Sequence, residues 1–169
     1  QGKKNVCILI CDITRPVPNG TILPVLIKEL IDAGVESRHI TVLVATGLHR
    51  PNEGQELEEL VGDSWVLETV KVVNHFANRD SDHVVVGVTN YGTKVRLDHR
   101  FVNADLRIAT GLVEPHLFAG YSGGRKVITP GIAHAETIST IHNAHFIEHP
   151  KLLNCLSGPF SDFEIISIA

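Results

Sequence analysis

Three short segments of this 169-residue chain gather side chains that can do chemistry. Asp12-Ile13-Thr14-Arg15 supplies a carboxylate, a hydroxyl and a guanidinium. Thr46-Gly47-Leu48-His49-Arg50 offers an imidazole and another guanidinium. Glu114-Pro115-His116, followed by Ala119-Gly120-Tyr121-Ser122-Gly123-Gly124-Arg125-Lys126, adds a second imidazole, a glycine-rich run and an amine. An imidazole titrating near pH ~6.5 serves as general acid or base close to neutrality. A guanidinium can grip a carboxylate through two parallel hydrogen bonds. The amides of residues 120–124, with Lys126 as counter-charge, can form an anion-binding concavity. The spacing is neither that of a P-loop nor that of the G-x-G-x-x-G dinucleotide fingerprint.

Each segment also has a purely structural reading. Asp12 and Thr14 can cap the following helix while Arg15 stays in solvent. His49 can be a surface histidine, and residues 120–124 a flexible turn. His142 and His145 stand three apart on an expected helix, the spacing of a two-histidine metal site, although no H-E-x-x-H motif accompanies them. His39, His75, His83, His99, His134, His149 and, outside that pairing, His145 are mostly expected to be structural or solvated.

The elements that position these segments follow from hydrophobic periodicity. Residues 6–11 (VCILIC) are a continuous apolar run, as in a strand buried on both faces, and residues 40–45 (ITVLVA) read as a second buried strand. Residues 22–33 place Leu23, Leu26, Ile27, Leu30 and Ile31 at helical spacing before Gly34, and residues 53–61 read as a charged helix. Further strands are expected at 69–74, 84–88, 94–97 and 106–110, and a helix at 135–144. Strands alternating with helices imply crossover connections, hence an α/β fold: a mostly parallel, Rossmann-like sheet with helices on both faces. In such sheets ligands bind outside the carboxyl ends of the strands. All three chemistry-bearing segments follow strands, so they are expected to converge on one pocket.

Composition narrows the classes of function. Hydrophobic residues make up 43% and charged residues 20%, which suits a globular core. The formal net charge of −4 argues against a nucleic-acid partner, and no apolar run approaches the roughly 20 residues of a membrane span. Cys7, Cys11 and Cys155 fit neither a disulfide framework nor a zinc spacing, which points to a reducing, cytoplasmic setting. The absence of Met, even at position 1, points to a piece of a longer chain or a processed product.

Taken in order, the motifs carry a resemblance. Asp12-Ile13-Thr14-Arg15-Pro16, residues 46–50, the run E-P-H-x-F-A-G-Y-S-G-G-R-K, Pro130-Gly131 and Ile141-His142-Asn143 together resemble the nickel-dependent lactate racemase family. The likeness spans residues 6–150. It implies that residues 1–169 form a single α/β domain, the N-terminal cofactor-binding and catalytic part of a longer two-domain enzyme. The implied activity is racemisation or epimerisation of a small 2-hydroxy acid. The implied cofactor is a nickel pincer nucleotide (Ni-pyridinium-3,5-bisthiocarboxylic acid mononucleotide), supplied by cofactor-biosynthesis proteins.

The resemblance also implies roles. Lys126 matches the lysine that tethers the cofactor, and His142 matches the histidine that completes nickel coordination. His49 and His116 match the catalytic histidines. Asp12, Ile13, Thr14 and Arg15 match a cofactor-contacting loop, with Arg15 also placed to meet the substrate carboxylate. These types suit the chemistry. Removing the α-hydrogen as hydride avoids an unstabilised carbanion, and the cofactor supplies the acceptor. A planar keto acid can be re-reduced on either face, so inversion calls for one base per face. Lys126 must be neutral to form a covalent link, and a partly desolvated position beside Arg125 would lower its pKa as required.

Two points depart from the family pattern. Phe76 follows Asn74-His75 where an acidic residue is expected, which leaves that loop without a role. The tail after Ser157-Gly158 does not continue the pattern. The competing reading is a non-catalytic anion- or metal-binding α/β domain. Such a fragment can hold cofactor ligands yet turn over no substrate.

Overall fold

The computed structural model describes residues 4–89, 92–116 and 120–141. Its centre is a four-stranded parallel sheet of β1 (Val6–Cys11), β2 (Ile40–Ala45), β3 (Lys71–Asn74) and β6 (Leu106–Ala109), ordered β3-β2-β1-β6. Every residue of β1 is buried, as its unbroken apolar run requires of a strand with partners on both sides. The register aligns Val6 with Ile40 and Leu106, so β1, β2 and β6 run in step.

One face is covered by α1 (Asn19–Asp32), α2 (Gln55–Val61) and α3 (Ser64–Thr69). Leu23, Ile27 and Leu30 of α1, Leu60 and Val61 of α2 and Val66 of α3 pack on Ile8, Ile10, Val42 and Val44. The opposite face carries Cys7, Leu9, Cys11 and Leu43 against Phe101 of α4 (His99–Val102), Val127 and Ile132. The alternation of β1 side chains between two apolar layers is thus the expected doubly covered sheet. Cys7 and Cys11 are free, buried thiols, and burial pushes Cys7 up to about 12.

Two antiparallel pairs stand outside the main sheet: β4 (His83–Val88) with β5 (Lys94–Asp98), and β7 (Pro115–His116) with β8 (Gly120–Tyr121). A third apolar cluster joins Val95 and Leu97 of β5 to Ile138 of α5 (Ala135–Ile141). The expected strand at 69–74 begins only at Lys71, because the preceding residues form α3. That helix is too short to show a period, and its signal is Asp63, whose side chain accepts the Val66 N–H at 3.0 Å. Among the described residues no helix is long and apolar enough to cross a membrane.

The chain order places a switch point at β1. From β1 it winds through β2 to β3 on one side, then returns to add β6 on the other. A crevice at the carboxyl end of β1 follows from that reversal.

Candidate active site

Each segment singled out for its chemistry leaves this carboxyl edge. Directly after β1, the Asp12 carbonyl accepts the Arg15 N–H at 3.1 Å, closing a turn. Asp12 Oδ1 accepts the Thr14 N–H at 3.2 Å and the Thr14 hydroxyl at 2.5 Å. Asp12 does not cap α1, which starts at Asn19 behind Pro18 with no side-chain cap. Its second oxygen faces His49 instead, with Oδ2 and Nδ1 2.5 Å apart.

His49 belongs to the loop after β2. The turn is closed by the His49 N–H on the Thr46 carbonyl at 2.9 Å, and Gly47 N–H reaches the Gly131 carbonyl at 2.9 Å. The carboxylate is buried, whereas the imidazole is 61% exposed by side-chain area. A carboxylate can only accept from Nδ1–H, so this contact selects the tautomer whose basic nitrogen is Nε2.

Lys126 and His116 form the other side. Lys126 Nζ lies 2.8 Å from His116 Nε2, with the ammonium donating to the imidazole lone pair. Burial lowers Lys126 from 10.5 to about 8, and the nearby Arg15 guanidinium adds to the shift. Arg125, the neighbour expected to act in this way, is exposed and is not among the causes. Arg15 is drawn in by Glu114, with Nε and Oε1 3.2 Å apart. The Ser122 hydroxyl holds the strand pair closed: it donates to the Leu112 carbonyl at 2.6 Å and accepts the Glu114 N–H at 3.0 Å.

These groups surround a cavity of about 370 Å³ lined by Asp12, Thr14, Arg15, His49, His116 and Lys126. That volume lies in the range of small-molecule sites. Gly131 forms part of its floor, and a Cβ there would fall 2.0 Å from the Val127 carbonyl oxygen. Only glycine fits so close an approach. Ile13 does not line the cavity; its backbone N–H donates to Asn52 Oδ1 at 3.3 Å. His142, and with it the His142–His145 pair, lies outside the described residues. Among those described, no group of three or more His, Cys, Asp or Glu is placed to hold a metal ion.

The residue reading missed the polar groups beneath the His49 loop. Asn52 and Asn74 are both buried and bond each other's backbone or side chain, and Thr46 is tied to His75. An Asn at the end of an apolar strand was the available signal.

The structure is thus an α/β domain whose parallel sheet gathers an amine, two imidazoles and a guanidinium around one cavity at its carboxyl edge. More narrowly, the chain belongs to the lactate racemase family: the profile of the lactate racemase N-terminal domain matches residues 1–153. It is 40% identical over 151 residues to the lactate racemase of Lactiplantibacillus plantarum and 39% identical over 150 residues to that of Thermoanaerobacterium thermosaccharolyticum. Each match covers 89% of this chain and 35% of the relative, so the chain spans about a third of their length. The structure of the T. thermosaccharolyticum lactate racemase apoprotein superposes with a TM-score of 0.92 at 36% identity, over 100% of this chain and 40% of that one. A crystal structure of a Thermotoga maritima protein shares the fold, with a TM-score of 0.81 at 24% identity over 98% of this chain.

Proposed function

We propose that this chain is the N-terminal, cofactor-bearing domain of a two-domain, cytoplasmic 2-hydroxy-acid racemase or epimerase of the lactate type. The observation that carries the reading is the shared cavity: His49, His116, Arg15 and Lys126 line one space at the carboxyl edge of the sheet.

The residues present suit a nickel pincer nucleotide. Lys126 offers an amine whose charge is already disfavoured by burial, the state a covalent tether needs. Asp12, Thr14 and Arg15, which line the cavity, would contact the group, and His142 would give nickel its imidazole nitrogen. When bound, the cofactor supplies a hydride acceptor at the substrate α-carbon.

The chain's own residues do the remaining work. Arg15 binds the substrate carboxylate and fixes its orientation. His49 and His116 take the hydroxyl proton and return it, one on each face of the planar keto acid. Asp12 holds His49 in the tautomer that presents Nε2. Glu114 holds Arg15 through the ion pair at 3.2 Å.

The test uses full-length protein produced together with the cofactor-making enzymes. Added mass on Lys126, stoichiometric nickel and racemisation of a 2-hydroxy acid with retention of the α-deuterium are the expected results. Reversible divalent-metal binding with no added mass and no turnover would instead identify a non-catalytic anion- or metal-binding domain.

A further inference from the structure

The end of β3 has no part in the chemistry above, yet it ties down both ends of the loop that carries His49. Asn74 closes β3 and is buried. Its Oδ1 accepts the Asn52 N–H at 3.0 Å, and its Nδ2 donates to the Asn52 carbonyl at 2.8 Å. Asn52 carries the link onward, since its Oδ1 accepts the Ile13 N–H at 3.3 Å, next to Asp12. The following residue, His75, holds the loop's other end: its carbonyl accepts the Thr46 hydroxyl at 2.8 Å, and its N–H donates to the Val44 carbonyl at 3.0 Å.

His75 is itself fixed. Its Nε2 lies 2.9 Å from His83 Nε2, while His83 Nδ1 donates to the Arg79 carbonyl at 2.8 Å. With the His83 proton on Nδ1, the single proton between the rings sits on His75 Nε2, which satisfies the pair in its neutral form. Burial lowers His75 to about 4, so its own ring stays neutral across the neutral range. Asn74, the last residue of β3, and His75, the first residue after it, therefore bracket residues 46–52, and one of the ties reaches the loop of the partner carboxylate.

We propose that Asn74 and His75 are positioning residues for His49. They set the separation between the His49 and Asp12 loops, and so hold the Asp12–His49 hydrogen bond and the tautomer it selects. The catalytic consequence rests on the acid–base reading of His49; the positioning does not. A displacement of about 1 Å is enough to cost on the order of 100-fold in rate, so small slack in this clamp matters.

The experiment measures imidazole nitrogen shifts of His49 in the full-length protein labelled with 15N-histidine, assigned with His49→Gln. Variants are Asn74→Ala and the near-isosteric Thr46→Val, which frees the His75 carbonyl and serves alone should Asn74→Ala not fold. The wild type is expected to show His49 as one tautomer, protonated on Nδ1. Both variants are expected to add the Nε2–H form, while His39, at the opposite end of β2, stays unchanged. In the cofactor-loaded enzyme kcat falls about 10- to 100-fold with KM nearly constant. A single Nδ1–H tautomer persisting in the variants, or a mixture already in the wild type, overturns the proposal. Tautomer mixing in the variants of a protein that racemises nothing upholds the positioning and refutes the functional reading alone.

Discussion

Asp12 Oδ2 and His49 Nδ1 stand 2.5 Å apart, joining the loop after β1 to the loop after β2 through a buried carboxylate and an open imidazole. The other Asp12 oxygen is fully used by the Thr14 N–H and hydroxyl. An Asn in its place has one acceptor and must turn its NH2 toward one of these donors. Asp12→Asn is expected to lower kcat by roughly 10²- to 10⁴-fold with little change in KM, by analogy with a triad carboxylate that fixes a histidine tautomer. Steady-state racemisation by the loaded full-length enzyme checks this. Unchanged turnover would show that His49 needs no orienting partner.

Lys126 owes its lowered pKa first to burial and second to Arg15. Acylation of Lys126 by an amine-directed reagent should therefore rise through a midpoint of about 8 rather than 10.5. Arg15→Gln removes a repelling charge, so the midpoint should move upward, and only part of the way because burial persists. Competitive labelling read by peptide mass gives both midpoints. A midpoint that ignores Arg15 would place the guanidinium too far away to act on the amine.

How much of this was legible beforehand depended on the kind of signal. β1 and β2 declared themselves because a strand buried on both faces reads as a near-continuous apolar run, unbroken in β1 and interrupted only by Thr41 in β2. The convergence of Asp12, His49 and Lys126 followed from the rule that parallel strands deliver their following loops to one edge. Pairings between loops were not legible. Nothing in local spacing says that Lys126 meets His116, that Arg15 rather than Arg125 acts on Lys126, or that Asn74 ties Asn52, since these depend on contacts between segments far apart in the chain. The short α3 escaped for a different reason: one and a half turns carry too few residues to establish a period.

The buried His75 makes stability depend on pH in a definite direction. Its folded pKa is about 4 against 6.5 for the free side chain, with burial the main cause. Between these values the unfolded chain binds the extra proton, so stability is full above about 6.5 and falls as pH drops toward 4. Below that both states are protonated and this contribution stops changing. The loss amounts to at most about 3.5 kcal/mol, from about 1.4 kcal/mol per pKa unit. His134 is shifted the same way by burial and adds to the slope. Urea midpoints between pH 4 and 7 should be less pH-dependent in His75→Gln than in the wild type. Equal slopes would mean that His75 does not stay neutral in the folded state.

Gly131 gives the sharpest steric prediction. A Cβ at this position would lie 2.0 Å from the Val127 carbonyl oxygen and 2.9 Å from the Ala45 Cβ. Backbone and a short side chain cannot swing aside, so the segment must shift bodily. The Gly131 carbonyl receives the Gly47 N–H at 2.9 Å, and the shift would be passed to the loop carrying His49. Gly131→Ala is therefore expected to destabilise the fold by about 2 kcal/mol or more, in the range of overpacked interiors. It should also disturb the His49 side of the cavity more than the far face of the sheet, where α1–α3 pack. Thermal unfolding measures the first effect, and amide-shift changes confined to residues near 47 and 127 measure the second. A variant as stable as the wild type would mean that the floor of the cavity is not closed against Val127.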